Sequence, residues 1–319
     1  MAQFRSALPQ LNGDFFLTDG GIETTLIFLE GLDLPDFAAF HLLRSKDGEA
    51  ALRKYFGTYA GLAERFDTGL ILESATWRAS ADWGTKLGYS AKEIADVNRR
   101  AIGLLEEIRN DFKGNSKKVV ISGCLGPRGD GYNPGKTMTE KEAETYHGKQ
   151  IRVFEDSAAD MVTAITMNYV EEAVGIAKAA ERAAIPAAIS FTVEVDGTLP
   201  TGQTLRQAIE QVDAATSSYP SYYMISCAHP THFEHVLAEG EPWAQRVRGL
   251  RANASRKSHA ELNESPELDI GDPLELGMQH AQLKRRLPQL NVMGGCCGTD
   301  HRHVEQIAAA CSPLFQKAT

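Results

Sequence analysis

Short β-branched runs alternate with longer segments of helical period from one end of the chain to the other, and this alternation limits the available folds more than any other feature. The predicted strands cover residues 15–19, 69–73, 118–122, 161–166, 187–193, 222–227, 249–253 and 290–294. Between them apolar residues recur at helical spacing, as in Leu205, Ala208, Ile209, Val212 and Ala215, or Ile94, Val97, Ala101, Leu105, Ile108 and Phe112. Ser90 with Glu93, Thr139 with Glu142, Thr204 with Gln207 and Thr231 with Glu234 read as capping boxes, and Asp272-Pro273 sets a cap before a first-turn proline. Strands that each lead into a helix predict the α/β class and a single (β/α)8 TIM barrel, whose active site sits at the C-terminal ends of the strands. A doubly wound sheet is the alternative, but no GxGxxG follows the first strand and no P-loop appears.

At 319 residues, with no Ser/Pro-rich or charge-rich linker, residues 1–319 read as one large domain. A net charge of −9 argues against nucleic acid or an anionic membrane as partner, since both require clustered Lys and Arg. The Arg256-Lys257 and Arg285-Arg286 pairs are too short to change that. No stretch has the length of a membrane span, and residues 1–11 lack the apolar core of a signal peptide, so the cytoplasm is the expected location. A homo-oligomer stays open.

The barrel turns scattered cysteines into a constellation. Cys296 and Cys297 end the eighth strand and Cys227 ends the sixth, so three thiolates can converge above the barrel mouth as a soft zinc set. Five cysteines form no even-numbered disulfide framework, and a reducing compartment would keep them as thiols. Cys124, near the end of the third strand, is the reserve ligand, whereas Cys124 and Cys311 taken singly suit buried structural thiols. Three protein ligands leave the fourth position of zinc open, and a thiol entering it would lose its proton to the metal.

Six segments carry a family resemblance over nearly the whole chain: TDGGIETT at 18–25, SATWRAS at 74–80, SGCLGP at 122–127, ISFT at 189–192 with Asp196-Gly197, SCAHP at 226–230 and GGCCGT at 294–299. They resemble the homocysteine S-methyltransferases, zinc-dependent barrels that include the betaine–homocysteine and S-methylmethionine–homocysteine enzymes. The resemblance implies that Cys227, Cys296 and Cys297 hold Zn2+ while the homocysteine sulfur takes the fourth position. It also implies attack of that thiolate on the methyl group of a small sulfonium or betaine-type donor, giving methionine. Asp19 would then lie near the substrate, with Gly20 and Gly21 letting the backbone approach it, and Thr76 belongs to the second of these motifs. Asn253 and Ser255 match the family's seventh-strand Pro-Asn-Ser-Gly segment loosely and would hydrogen-bond the amino-acid part of the acceptor.

Three positions depart from the pattern. Ile165 stands where the family usually has a glutamate that contacts the homocysteine amine, and an apolar residue cannot pair an ammonium. Glu73 replaces a small hydroxyl residue and Glu23 a glycine, so either could take over amine recognition; otherwise the acceptor is another thiol, or the barrel binds zinc and thiols without turnover. Trp77 offers a ring face to an onium methyl donor and Arg78 a fork for a carboxylate. His229 could hydrogen-bond a thiolate, while His301 and His303 follow the helix cap Asp300 and fall outside the metal shell.

Overall fold

The computed structural model describes residues 1–112, 118–237, 239–265 and 267–315. Eight parallel strands, β1 (Phe16–Leu17), β2 (Gly69–Glu73), β3 (Val119–Leu125), β4 (Met161–Met167), β5 (Ala187–Phe191), β6 (Tyr222–Ser226), β7 (Val247–Ala252) and β8 (Val292–Gly295), follow one another around a closed barrel. β1 pairs with both β2 and β8, which closes the sheet. α1 (Lys46–Arg65) follows β1; α2 (Ala81–Lys86) and α3 (Ala91–Asp111) follow β2; α4 (Glu140–Glu155), α5 (Val170–Arg182) and α6 (Leu205–Thr216) follow β3, β4 and β5. The short α7 (Pro230–Phe233) and α8 (Pro242–Gln245) follow β6, α9 (His259–Asn263) and α10 (Pro273–Arg286) follow β7, and α11 (His301–Cys311) follows β8. The architecture is the predicted (β/α)8 barrel.

Two apolar layers hold it. Phe16, Ile71, Val120, Met161, Ala188, Tyr222, Met224 and Val292 fill the barrel near the N-terminal ends of the strands, with Leu8 packed beneath them. Gln10, fully buried, donates to Met161 Sδ at 3.1 Å, and Asn291 Nδ2 donates to the Gln10 carbonyl at 2.7 Å. The segment before β1 therefore plugs this end, which leaves the C-terminal ends of the strands as the open face. The larger layer lies between sheet and helices and includes Ile94, Ala101, Leu105, Ile108, Leu205, Ala208, Ile209 and Val212, as the helical spacing predicts. On α6, however, Ala215 is exposed and Thr216 turns inward instead.

The capping boxes at Ser90, Thr139 and Thr204 form, and Asp272 caps α10. The one expected at Thr231 does not, because Thr231 lies inside α7, whose cap is His229. β1 is shorter than predicted: beyond Leu17 the chain leaves the ladder with β2, so Asp19 belongs to a loop. β3 runs on through Cys124 to Leu125, which sets that thiol in the barrel wall. Among the described residues no helix is long and apolar enough to cross a membrane.

Candidate metal centre

Cys227 follows β6 directly, and Cys296 and Cys297 follow β8; their three sulfurs lie within 4.8 Å of one another. Two strand ends thus deliver a compact sulfur cluster to the open face. The Cys227 and Cys296 sulfurs are in contact, with Cα atoms 5.4 Å apart, while Cys297 is free and exposed to the cavity. The closed barrel holds these two residues within bridging range of each other, so oxidation would join them. Reduced, the same sulfurs form a three-thiolate set for a soft cation.

Close packing fixes this loop. A Cβ on Gly294 would overlap the Thr18 hydroxyl, and one on Gly21 would come 2.6 Å from the Cys296 carbonyl, so the first strand's loop can lie against the cysteine loop only with glycine at both places. The Thr299 hydroxyl donates to the Cys296 carbonyl at 2.7 Å, and Gly21 N donates to the Thr299 hydroxyl at 3.1 Å. Gly20 likewise faces the Tyr59 hydroxyl, 2.7 Å from where its Cβ would stand. Gly20 and Gly21 line the cavity, but the close approach they permit is to the cysteine loop and α1.

Around the sulfurs stand residues that the sequence did not single out. Thr166 sits at an irregularity in the pairing of β4 with β5, with φ +66°, a strained conformation for a β-branched residue, and its hydroxyl lies 3.3 Å from Cys227 Sγ. Cys227 itself has φ +56°. The Tyr132 hydroxyl is 3.2 Å from Cys297 Sγ, the Tyr132 ring stacks on His259 with centroids 3.9 Å apart, and His259 Nε2 donates to the Cys227 carbonyl at 2.7 Å. His229 instead hydrogen-bonds Thr231 and contacts no thiol. His303 is tied to Asp300 and the Ile270 carbonyl, away from the cluster.

The sulfurs open into a cavity of about 380 Å³ lined by Asp19, Glu23, Glu73, Trp77, Arg78, Ile165, Arg251 and Ser255, among others. Asp19 accepts from Arg251 Nη1 at 2.5 Å and from the Tyr55 hydroxyl at 2.9 Å, so both of its oxygens are engaged by the protein. Arg78 is stacked between Trp77 and Trp83, 4.1 and 3.7 Å from the ring centroids, and donates to the Gly129 carbonyl at 2.9 Å. One face of Trp77 is therefore occupied by the protein's own cation, and its indole N–H donates to the Ile165 carbonyl. The Ser255 hydroxyl donates to Asp269. Thr76 and Asn253, expected at the substrate, are buried behind the lining: Thr76 donates to the Cys124 carbonyl at 2.7 Å, and Asn253 N donates to the Ala228 carbonyl. Cys124 reaches the lining, where burial raises its pKa, but it lies outside the sulfur cluster.

Two carboxyls in this cavity are perturbed. Desolvation pushes Glu73 up to about 7, with Arg251 and the hydroxyls of Ser122 and Thr163 restraining the rise. Glu23, part of whose surface remains open, is also pushed up to about 7 by desolvation, with Asp19 adding to it and Arg78 opposing. In both, the folded-state value lies above the unfolded one, so the folded protein binds more protons between the two and loses stability as pH rises from about 4.5 to about 7. For Glu73 alone the change is about 3 kcal/mol. Asp300 has the opposite sign: although burial opposes it, hydrogen bonds from His303 and Arg302 hold its carboxyl below the usual range, and that contribution is lost as pH falls below its unfolded value. His229 and His280, lowered by burial to about 3 and about 4, act in the opposite sense over the same range. The Glu73 contribution is therefore read by difference: urea midpoints of Glu73→Gln should fall less, or rise more, from about pH 4.5 to about pH 7 than those of the wild type, and parallel profiles would contradict the buried state of this carboxyl.

A family model described as homocysteine S-methyltransferase matches residues 16–311. Among solved structures, the homocysteine methyltransferase MmuM from Escherichia coli in its metallated form superimposes with a TM-score of 0.72 at 16% identity, covering 93% of this chain and 96% of that one. The oxidised form of the same enzyme gives the same TM-score, identity and coverage, and its apo form gives 0.65 at 17%. No curated protein matches the chain by sequence. At these identities the structural likeness concerns the fold.

Proposed function

Because the chain belongs to the homocysteine S-methyltransferase family, we propose that this enzyme moves a methyl group from a small sulfonium or betaine-type donor to a thiol held at Cys227, Cys296 and Cys297, with homocysteine as acceptor and methionine as product. The observation that carries this reading is the meeting of three sulfurs from two strand ends at the wall of one cavity. Their softness and their spacing suit Zn2+, which when bound supplies the acidity that makes an incoming thiol a thiolate at neutral pH. On this reading the enzyme works in methionine biosynthesis in the cytoplasm.

The chain's own groups account for the rest. The Thr166 and Tyr132 hydroxyls, placed against Cys227 and Cys297, spread the negative charge of the ligand sulfurs and fix their direction. The methyl group passes from the donor's sulfur or nitrogen to the acceptor sulfur, and the donor departs as a neutral thioether or amine. No further acid or base is required once the acceptor has lost its proton. Phe28 and Phe37, at 54% and 53% exposure, stand on the cavity lining where an onium donor would enter.

Reduced protein loaded with zinc should carry one ion per chain and form methionine from homocysteine with S-methylmethionine or glycine betaine. Full zinc loading without transfer from either donor would sink the reading. A second acceptor is favoured by one feature: Ile165 presents an apolar side chain to the cavity where the family has its amine-binding glutamate. A panel of thiols lacking an amine distinguishes the two.

A further inference from the structure

An amino-acid acceptor needs a carboxylate for its ammonium, and the obvious one is already in use. Both oxygens of Asp19 are held, by Arg251 and by Tyr55. Arg251 is in turn tied to Asp19 and to the Gly20 carbonyl. Glu23 retains an open surface and has Arg78 as a nearby countercharge. Glu73 differs from both. At the end of β2 it is 5% exposed, lines the cavity, and its Oε2 has no hydrogen-bond partner. A buried acceptor atom left unpaired is costly, more so when it carries charge, and such groups are rare enough to call for a partner.

We propose that Glu73 is the carboxylate that receives the ammonium of an amino-acid thiol acceptor, taking the part that Ile165 cannot play. The charges support it. Asp19 and Arg251 neutralise each other, which leaves Glu73 as the excess anion of the floor, and a bound ammonium supplies its missing countercharge. Desolvation raises the Glu73 carboxyl toward 7 despite Arg251 and the Ser122 and Thr163 hydroxyls, so its surroundings do not fully compensate its charge. The ammonium would then lie beneath the ring of sulfurs, with the acceptor spanning from the β2 end to the β8 end of the barrel mouth. The inference rests on the methyltransferase reading for the identity of the reaction, but not for the existence of the amine site.

The test compares homocysteine with its desamino analogue, 4-sulfanylbutanoate, in zinc-loaded wild-type protein and in Glu73→Gln. Wild type should prefer homocysteine by at least about a hundredfold in kcat/KM, because a site built around a buried polar group rejects a ligand that leaves it unpaired. In Glu73→Gln the preference should collapse to within about threefold. Equilibrium binding of the two thiols should give the same ratios without turnover. No preference in wild type, or a preference that survives Glu73→Gln, overturns the assignment while leaving methyl transfer intact. Selective binding of homocysteine that depends on Glu73, without methyl transfer from any donor, sustains the amine site and counts against the proposed function. The wild-type comparison stands even if the variant fails to fold.

Discussion

Cys297→Ser should strip zinc from the reduced protein and lower methyl transfer by more than about a hundredfold, beyond the 10–100-fold typical of changes to the partners of metal ligands. Cys297 is the one sulfur of the cluster that is free and open to the cavity. A serine hydroxyl does not ionise near neutral pH and is a hard ligand in a soft set, so two thiolates would remain. Those two are Cys227 and Cys296, already within disulfide range of each other, and without a third ligand they have an alternative to metal. Zinc content per chain is the measurement, and full occupancy in Cys297→Ser would remove this residue from the ligand set. Cys311, buried at the end of α11 and away from the cavity, gives the control: Cys311→Ser should keep its zinc.

Arg251→Leu is the second large effect, and it concerns stability. The guanidinium is 5% exposed and forms an ion pair with Asp19, itself buried. Removing one member of a buried pair strands the other charge, at a cost of about 3–5 kcal/mol. Here the cost extends to Glu73, whose rise Arg251 restrains, and to the Gly20 carbonyl that accepts from Nη2. Urea denaturation should show the loss, and the loss should shrink at acidic pH as Glu73 becomes neutral. The double variant Arg251→Leu with Asp19→Leu should be less destabilised than the two single changes added together, because the charges are coupled. Strict additivity would mean that the pair contributes little.

The fold was legible because each strand is a short apolar run and the helices from Ala91, Glu140, Leu205 and Pro273 carry their own start signals, so local pattern and global architecture agree. The cysteine set was legible for a related reason: strand order in a barrel determines which ends are neighbours, and β6 and β8 both discharge at the same face. What could not be read was contact between loops. Tyr132 comes from the long connection after β3 and His259 from the start of α9, and nothing in either segment announces that their rings stack beside Cys227. Thr166 could not be identified because its role depends on a backbone irregularity at the end of β4. Arg251 did leave a signal, a charge in the middle of an otherwise apolar strand run. The pairing with Asp19 that absorbs this charge is also what removes Asp19 from the choice of amine partners. Trp77 and Thr76 are adjacent in one motif, yet only Trp77 faces the cavity, because the chain turns here and the Thr76 hydroxyl is spent on the Cys124 carbonyl.

The contact of Gly21 and Thr299 with the Cys296 carbonyl lies at the seam where the last strand meets the first. During synthesis, that seam cannot form until β8 has followed the seven earlier strands out of the ribosome. The sulfur cluster is thus among the last contacts to be made, and the long loop closed by the β1–β8 pairing is a slow step in folding. Metal capture would then report completed barrels rather than nascent ones, and partly synthesised chains would not compete for the ion through this cluster.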